Sequence, residues 1–179
     1  MATKMIALLW GFAEGTLFFF VPDVYLGAVG LVDRRRAFSA CFFALAGSLL
    51  GGTLMYYWGT VNAPGALRAL DAVPAISPGM IETVRAQLVE YGALGVFAGP
   101  VGGVPYKIYA VQASGAGVGL VPFLLISIPA RVIRFIAVAM IAPPVVRKLG
   151  RQKTLRRNLA LLLGAWAVFY VFYFIIRAE

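Results

Sequence analysis

The stretch Gly99-Pro100-Val101-Gly102-Gly103-Val104-Pro105-Tyr106-Lys107 breaks an apolar segment that otherwise runs from Ala93 to Gly119. Proline removes a backbone donor and paired glycines permit sharp turns, so a regular helix does not pass through it. The arms it leaves are only about a dozen residues each. An earlier segment, Met5 to Val32, is broken in the same way at Pro22-Asp23, leaving arms of about 17 and 9 residues. At about 1.5 Å per residue the second arms reach roughly 14–18 Å, too short for a ~30 Å hydrocarbon core. Irregular backbone at membrane depth is tolerated only where it is buried in protein or lines a watery cavity. Both segments therefore read as re-entrant hairpins, in preference to kinked spans.

Composition places the rest of the chain in the membrane too. Of its 179 residues 61% are apolar and 13% charged, with a mean hydropathy of +0.88. Soluble domains hold roughly 45–50% apolar and about 25% charged residues. The length suits a single membrane domain over residues 1–179. Three uninterrupted segments are long enough to cross: Phe38–Val61, Leu120–Ala142 and Asn158–Ile176. The N-terminal apolar run loosely resembles a signal peptide, but it lacks a small-x-small cleavage site and Glu14 interrupts it, so it is read as mature sequence.

The charge pattern orients these pieces. Net charge is +9, concentrated in Arg34-Arg35-Arg36 and in Arg147 to Arg157 between apolar runs. Short basic loops stay on the cytoplasmic side, and no folded basic face remains for nucleic acid. With hairpin 5–32 opening to the cytoplasm, span 38–61 crosses outward. Residues 62–91 then form an external amphipathic connector, and hairpin 93–119 dips from outside. Span 120–142 returns to a basic cytoplasmic loop, 143–157, and span 158–176 leaves the C-terminus external. Of 16 Lys and Arg, ten then fall inside and only Arg68, Arg85 and Arg177 outside, beside Asp71, Glu82, Glu90 and Glu179. Within the connector, Ser77 can cap a helix begun by Pro78. Ile81, Val84, Leu88 and Tyr91 recur at helical spacing, as in a helix lying on the interface. Tyr56-Tyr57-Trp58 falls where an aromatic belt is expected.

An offset of 83 residues sets Glu14 against Phe97, Pro22 against Pro105, and the span at Phe38 against the one at Val121. Each half, 1–61 and 92–142, is a hairpin followed by a span, and the two enter from opposite faces. The expected architecture is an all-α inverted repeat with one additional C-terminal span, as in many transporters.

Five ionisable side chains fall inside apolar segments: Glu14, Asp23, Lys107, Arg131 and Arg134. A charge at bilayer depth costs roughly 3 kcal/mol on insertion scales, so such groups are usually paired or functional. Two acids against three bases leave one positive charge, which suits an anionic ligand. Lysine and arginine replace the hydration shell of a phosphate, and amides at Gly102 and Gly103 can add donors. Tyr106 is a further headgroup contact or an interfacial anchor. Glu14 and Asp23, as carboxylates in a low-dielectric site, are candidates to load and release a proton. The chain has no histidine, and its single cysteine, Cys41, can form no intrachain disulfide. These counts exclude histidine nucleophile activation and histidine metal ligands, and no metal site or cofactor is expected. Gly47, Ser48, Gly51 and Gly52 are small residues at helix-packing spacing, or Ser48 touches substrate; such faces permit a homodimer.

The ordered series Glu14…Val21-Pro22-Asp23, Ala46-Gly47-Ser48-Leu49-Leu50-Gly51-Gly52…Tyr56-Tyr57-Trp58-Gly59 resembles the DedA (VTT, or SNARE-associated) membrane superfamily. Val104-Pro105-Tyr106-Lys107…Ala113-Ser114-Gly115…Arg131-Val132-Ile133-Arg134-Phe135 looks most like its YqaA-like branch, and the resemblance covers nearly the whole chain. It implies two opposed re-entrant hairpins and movement of lipids between leaflets, with undecaprenyl phosphate and phospholipids as substrates in the family. It also implies coupling to the proton-motive force through acids that match Glu14 and Asp23, and a bacterial cytoplasmic membrane. The family's Arg-x-x-Pro-x-x-Arg pattern is altered: Gly102 holds the first arginine position, and Lys107 lies one place before the second.

The expected function is thus a flippase or scramblase-like carrier of an anionic lipid, with a proton or sodium ion as coupling partner. The alternatives are an ion-coupled solute transporter, a lipid-phosphate enzyme and a structural membrane protein. No Asp-x-x-Asp-Gly cluster supports the enzyme.

Overall fold

A computed structural model of the chain describes residues 1–74, 76–150 and 154–177. The described residues form helices joined by short turns and breaks, with no strand. The helices are α1 (Ala2–Gly15), α2 (Asp23–Val32), α3 (Arg34–Asp71), α4 (Pro78–Tyr91), α5 (Ala98–Gly102), α6 (Tyr106–Ala113), α7 (Leu120–Leu149) and α8 (Leu155–Arg177), with a 3₁₀ stretch at Gly92–Phe97. Three are long and apolar enough to cross a membrane: Arg34–Asp71, Leu120–Leu149 and Leu155–Ile175. By length and composition these three helices are consistent with a membrane protein.

The elements run further than the apolar runs alone. Asp33 accepts hydrogen bonds from the Arg35 and Arg36 amides, so α3 begins within the arginine cluster. It bends at Asn62 (φ −147°, ψ 71°), whose side chain accepts from the Gly65 amide just after Pro64. That cap restarts the helix to Asp71, so the connector opens as a continuation of the span. α7 passes through Pro143-Pro144 to Leu149, and most of the expected basic loop is therefore helical. Arg151, Lys153 and Glu179 lie outside the described residues.

α1 packs along α3 with backbone almost on backbone. A Cβ at Gly15 would meet the Ser48 carbonyl oxygen at 2.8 Å, and one at Gly51 the Phe12 carbonyl oxygen at 2.6 Å. Gly11 abuts Ala44 and Gly47 abuts Leu8 in the same way. These contacts advance together along both helices, so α1 runs parallel to α3 and ends beside the middle of residues 34–61. The small residues thus serve packing within the chain. Beyond the break, α2 returns to the start of α3, and its Gly30 lies against Ala139 and Pro143 of α7.

The second half exchanges partners. α6 begins beside Gly52, where Tyr106 fills the space a side chain would need, and reaches Gly59 at Val111. It therefore runs parallel to α3, and α7 comes back antiparallel, with Phe123 against Tyr56. The 3₁₀ stretch packs on α7. α2 thus leans on the span of the second half, and α6 on that of the first.

α4 starts at Ser77, whose Oγ accepts from the Met80 amide, with Pro78 in the first turn. Its Met80, Val84 and Leu88 are buried in the same core as Ile108, Tyr109 and Val111 of α6. Tyr109 donates to Gln87 at 2.5 Å and Gln112 to the Ile81 carbonyl at 2.9 Å. The apolar face expected on the membrane interface is turned onto protein, while Tyr91 of the same stripe is exposed. Of the expected aromatic belt, Tyr57 is exposed, but Tyr56 is buried and donates to the Val118 carbonyl at 3.0 Å.

Candidate functional site

Each second arm starts after a proline held near φ −65°: Pro22 before α2 and Pro105 before α6. Proline pre-sets this backbone and has no amide hydrogen to leave unsatisfied. The first break is braced by Trp10, whose indole donates to the Phe20 carbonyl at 2.9 Å and stacks on Tyr25. The second turns at Gly103, whose φ of +66° is the left-handed conformation glycine adopts without penalty. The two breaks meet. Lys107 donates from Nζ to the Phe18 carbonyl at 2.6 Å, joining residues 89 apart in sequence.

Around that junction all five charges gather. Glu14 and Arg131 form an ion pair, each side chain about 4% exposed. Asp23 pairs with Arg134 at 3.2 Å, with Asp23 buried and Arg134 27% exposed. Arg131 and Arg134 sit one turn apart on α7, so one helical face serves both acids. Aromatic faces hold the guanidinium groups. Arg131 lies 4.3 Å over Tyr106 and 5.1 Å over Phe135, and Arg134 lies 5.2 Å from the same Phe135 ring. Such cation–π contacts gain strength where water is excluded.

Lys107 is the charge left over. It is 2% exposed and makes no ion pair among the described residues. It stands in the first turn of α6, where the helix dipole adds positive potential. Around it opens a cavity of about 200 Å³ lined by Glu14, Asp23, Lys107 and Arg134, by Gly103 to Pro105, and by aromatic side chains of α8. On residues that line this cavity, Asp23 Oδ1 and Arg134 Nε are buried without a hydrogen-bond partner among the described residues. Buried polar atoms are nearly always satisfied, so these mark a place able to take further donors and acceptors.

Comparison of the chain with family models, curated proteins and solved structures gives no match.

The site residues expected from sequence do not all face this cavity. Glu14, Asp23, Lys107 and Arg134 line it, and Gly103 forms part of its wall. Arg131 is turned inward onto Glu14 and the Tyr106 ring. Tyr106 stacks on Phe123 at 5.5 Å, in the core behind the cavity. Gly102 closes α5, and Gly103 donates its amide back to the Gly99 carbonyl, as does Val104. The Gly103 and Val104 amides are thus engaged within the turn, and the charge around this tip comes from side chains. Among the described residues no group of His, Cys, Asp and Glu is arranged to hold a metal.

α8 supplies the wall that sequence reasoning read only as a span. Trp166, Phe169, Tyr170 and Tyr173 line the cavity. Tyr170 accepts from the Val21 amide at 3.0 Å, and Tyr173 donates to the Gly103 carbonyl at 2.9 Å. One helix therefore touches both breaks. The signal was in the sequence: positions 166, 169, 170 and 173 form one helical stripe of aromatic residues.

Proposed function

We propose that this chain carries an anionic, phosphate-bearing lipid between the leaflets of a bacterial cytoplasmic membrane. The observation that carries the reading is Lys107, a buried cation with no carboxylate partner among the described residues, beside a cavity where two helix breaks meet. Burying an unpaired ammonium is costly, and an acidic headgroup would supply the missing charge. The partner exchange of α2 and α6 supports an inverted repeat of two re-entrant hairpins, with the breaks at mid-depth. The ordered motifs around Glu14, Asp23, Lys107 and Arg131 support membership of the DedA (VTT) superfamily. With the arginine clusters cytoplasmic, the N-terminus lies inside.

In this reading the two ion pairs are the coupling elements. A phosphate arriving at Lys107 competes with Asp23 for Arg134, the more exposed of the two arginines. Asp23, released from its partner in a low-dielectric site, takes up a proton and keeps it until the headgroup leaves. Glu14 and Arg131 hold the hairpin to α7 and provide the second titratable pair.

The test is reconstitution of the purified chain into vesicles carrying a labelled polyprenyl phosphate or phospholipid in one leaflet. Accelerated crossing, reduced at least tenfold by Lys107→Met, is the expected result. No acceleration with any lipid phosphate overturns the proposal.

A further inference from the structure

A second concavity adjoins the charged one. Between α7 and α8 runs a groove of about 570 Å³ lined by carbon-rich side chains, including Ile141, Val145 and Leu149 of α7 and Leu162 and Ala165 of α8. Val138, Trp166 and Phe169 line both the groove and the charged cavity, so the two share a wall there. α7 and α8 touch at few points, although they are neighbours in the chain. From Val138 to Leu149 the groove follows α7 for roughly 16 Å at about 1.5 Å per residue. That is close to half of a ~30 Å hydrocarbon core.

We infer that this groove is the hydrocarbon-chain subsite of the lipid whose acidic headgroup sits at Lys107, an inference that rests on the function proposed above. The two chemistries meet where an amphiphile needs them to meet. A cation and unsatisfied polar atoms lie at one end, and an apolar trough of single-leaflet length leads away from them. The junction is aromatic, with Trp166 and Phe169 at the boundary between polar and apolar parts, as such rings stand at other polar–apolar boundaries. The headgroup thus occupies the depth of the helix breaks, and its chain points toward the basic end of the bundle.

The experiment uses the whole chain in phosphatidylcholine nanodiscs, with dodecyl phosphate carrying a photoreactive diazirine at the chain end. Thermal unfolding is followed first. Saturable stabilisation by dodecyl phosphate in the wild type, lost in Lys107→Met, establishes headgroup binding. Illumination is then expected to label residues 138–149 and 162–169, and an excess of unlabelled dodecyl phosphate should reduce that label at least fivefold. Stabilisation accompanied by label spread over all lipid-facing helices, or label that excess ligand does not displace, overturns the groove and leaves headgroup binding standing. Absence of any saturable stabilisation overturns the function on which the groove rests, and the groove with it. Saturable stabilisation and labelling are both read on the wild-type chain, and only the assignment of the headgroup to Lys107 uses a variant.

Discussion

Two helix contacts in this protein are built on opposite principles. Along α1 and α3, glycines at 11, 15, 47 and 51 bring backbone against backbone and leave no space between the helices. Between α7 and α8 the contact is sparse, and a groove of about 570 Å³ runs between residues 137–149 of one and 162–169 of the other. In lipid, helix association draws on close packing and not on exclusion of water, so the first contact is a fixed joint and the second is weakly held. The charged site lies between them. Glu14 is delivered by the fixed joint, and the cavity wall is supplied by the loose one.

The largest effect should come from breaking the fixed joint. A side chain at Gly47 would strike the Leu8 carbonyl and come within 2.8 Å of the Phe12 amide nitrogen, both backbone atoms that cannot step aside. Overpacking a core typically costs 1–3 kcal/mol and more where backbone must move. Gly47→Val should therefore abolish recovery of a monodisperse protein in detergent, read by size-exclusion chromatography. A folded Gly47→Val protein would show that α1 is not held as described.

Next in size is the Glu14–Arg131 pair, which ties the fixed joint to α7. Removing one partner of a buried pair leaves the other charge uncompensated, at about 3–5 kcal/mol. Arg131→Met should lower thermal stability strongly, and adding Glu14→Gln should restore much of the loss. The double-mutant cycle measures that coupling directly. Arg134→Met should cost less, about 1–3 kcal/mol, because its side chain is 27% exposed and such a pair falls between the exposed and the buried cases.

The contrast between the two contacts also marks what could be read without a structure. The breaks at Pro22 and at Gly102 to Pro105 were legible because proline and glycine act locally, whatever surrounds them. The five charges were legible because an ionisable group in an apolar run is conspicuous. Their pairing was not, since Glu14 finds Arg131 across 117 positions and no local pattern encodes that choice. Nor was the docking of α4: an amphipathic stripe looks the same whether it meets lipid or protein, and only Gln87 and Gln112 finding partners on α6 and α4 decides. The aromatic stripe on α8 was visible as a pattern. Its meaning was hidden, because aromatic residues in a last span suit a lipid-facing surface equally well.

At the loose contact the effects should be smaller, and confined to α8. Tyr170 and Tyr173 are its only side chains, among the described residues, with hydrogen bonds to the two breaks, and a typical bond contributes about 0.5–1.5 kcal/mol. The double variant Tyr170→Phe, Tyr173→Phe keeps both rings, so hydrogen exchange should quicken in α8 while α1 and α3 keep their protection. Equal change in all three helices would mean that α8 is part of the rigid frame. Ala165→Leu is the gentlest probe. Ala165 is exposed on the wall of the groove, so the added carbons meet lipid or open groove, and surface changes of this kind usually stay within about 0.5 kcal/mol. Its melting temperature should match the wild type. Dodecyl phosphate should nevertheless stabilise it several-fold less, because the leucine occupies space the chain would fill. An unchanged response in a protein of unchanged stability would place the hydrocarbon elsewhere and leave the weak contact between α7 and α8 without a ligand to explain it.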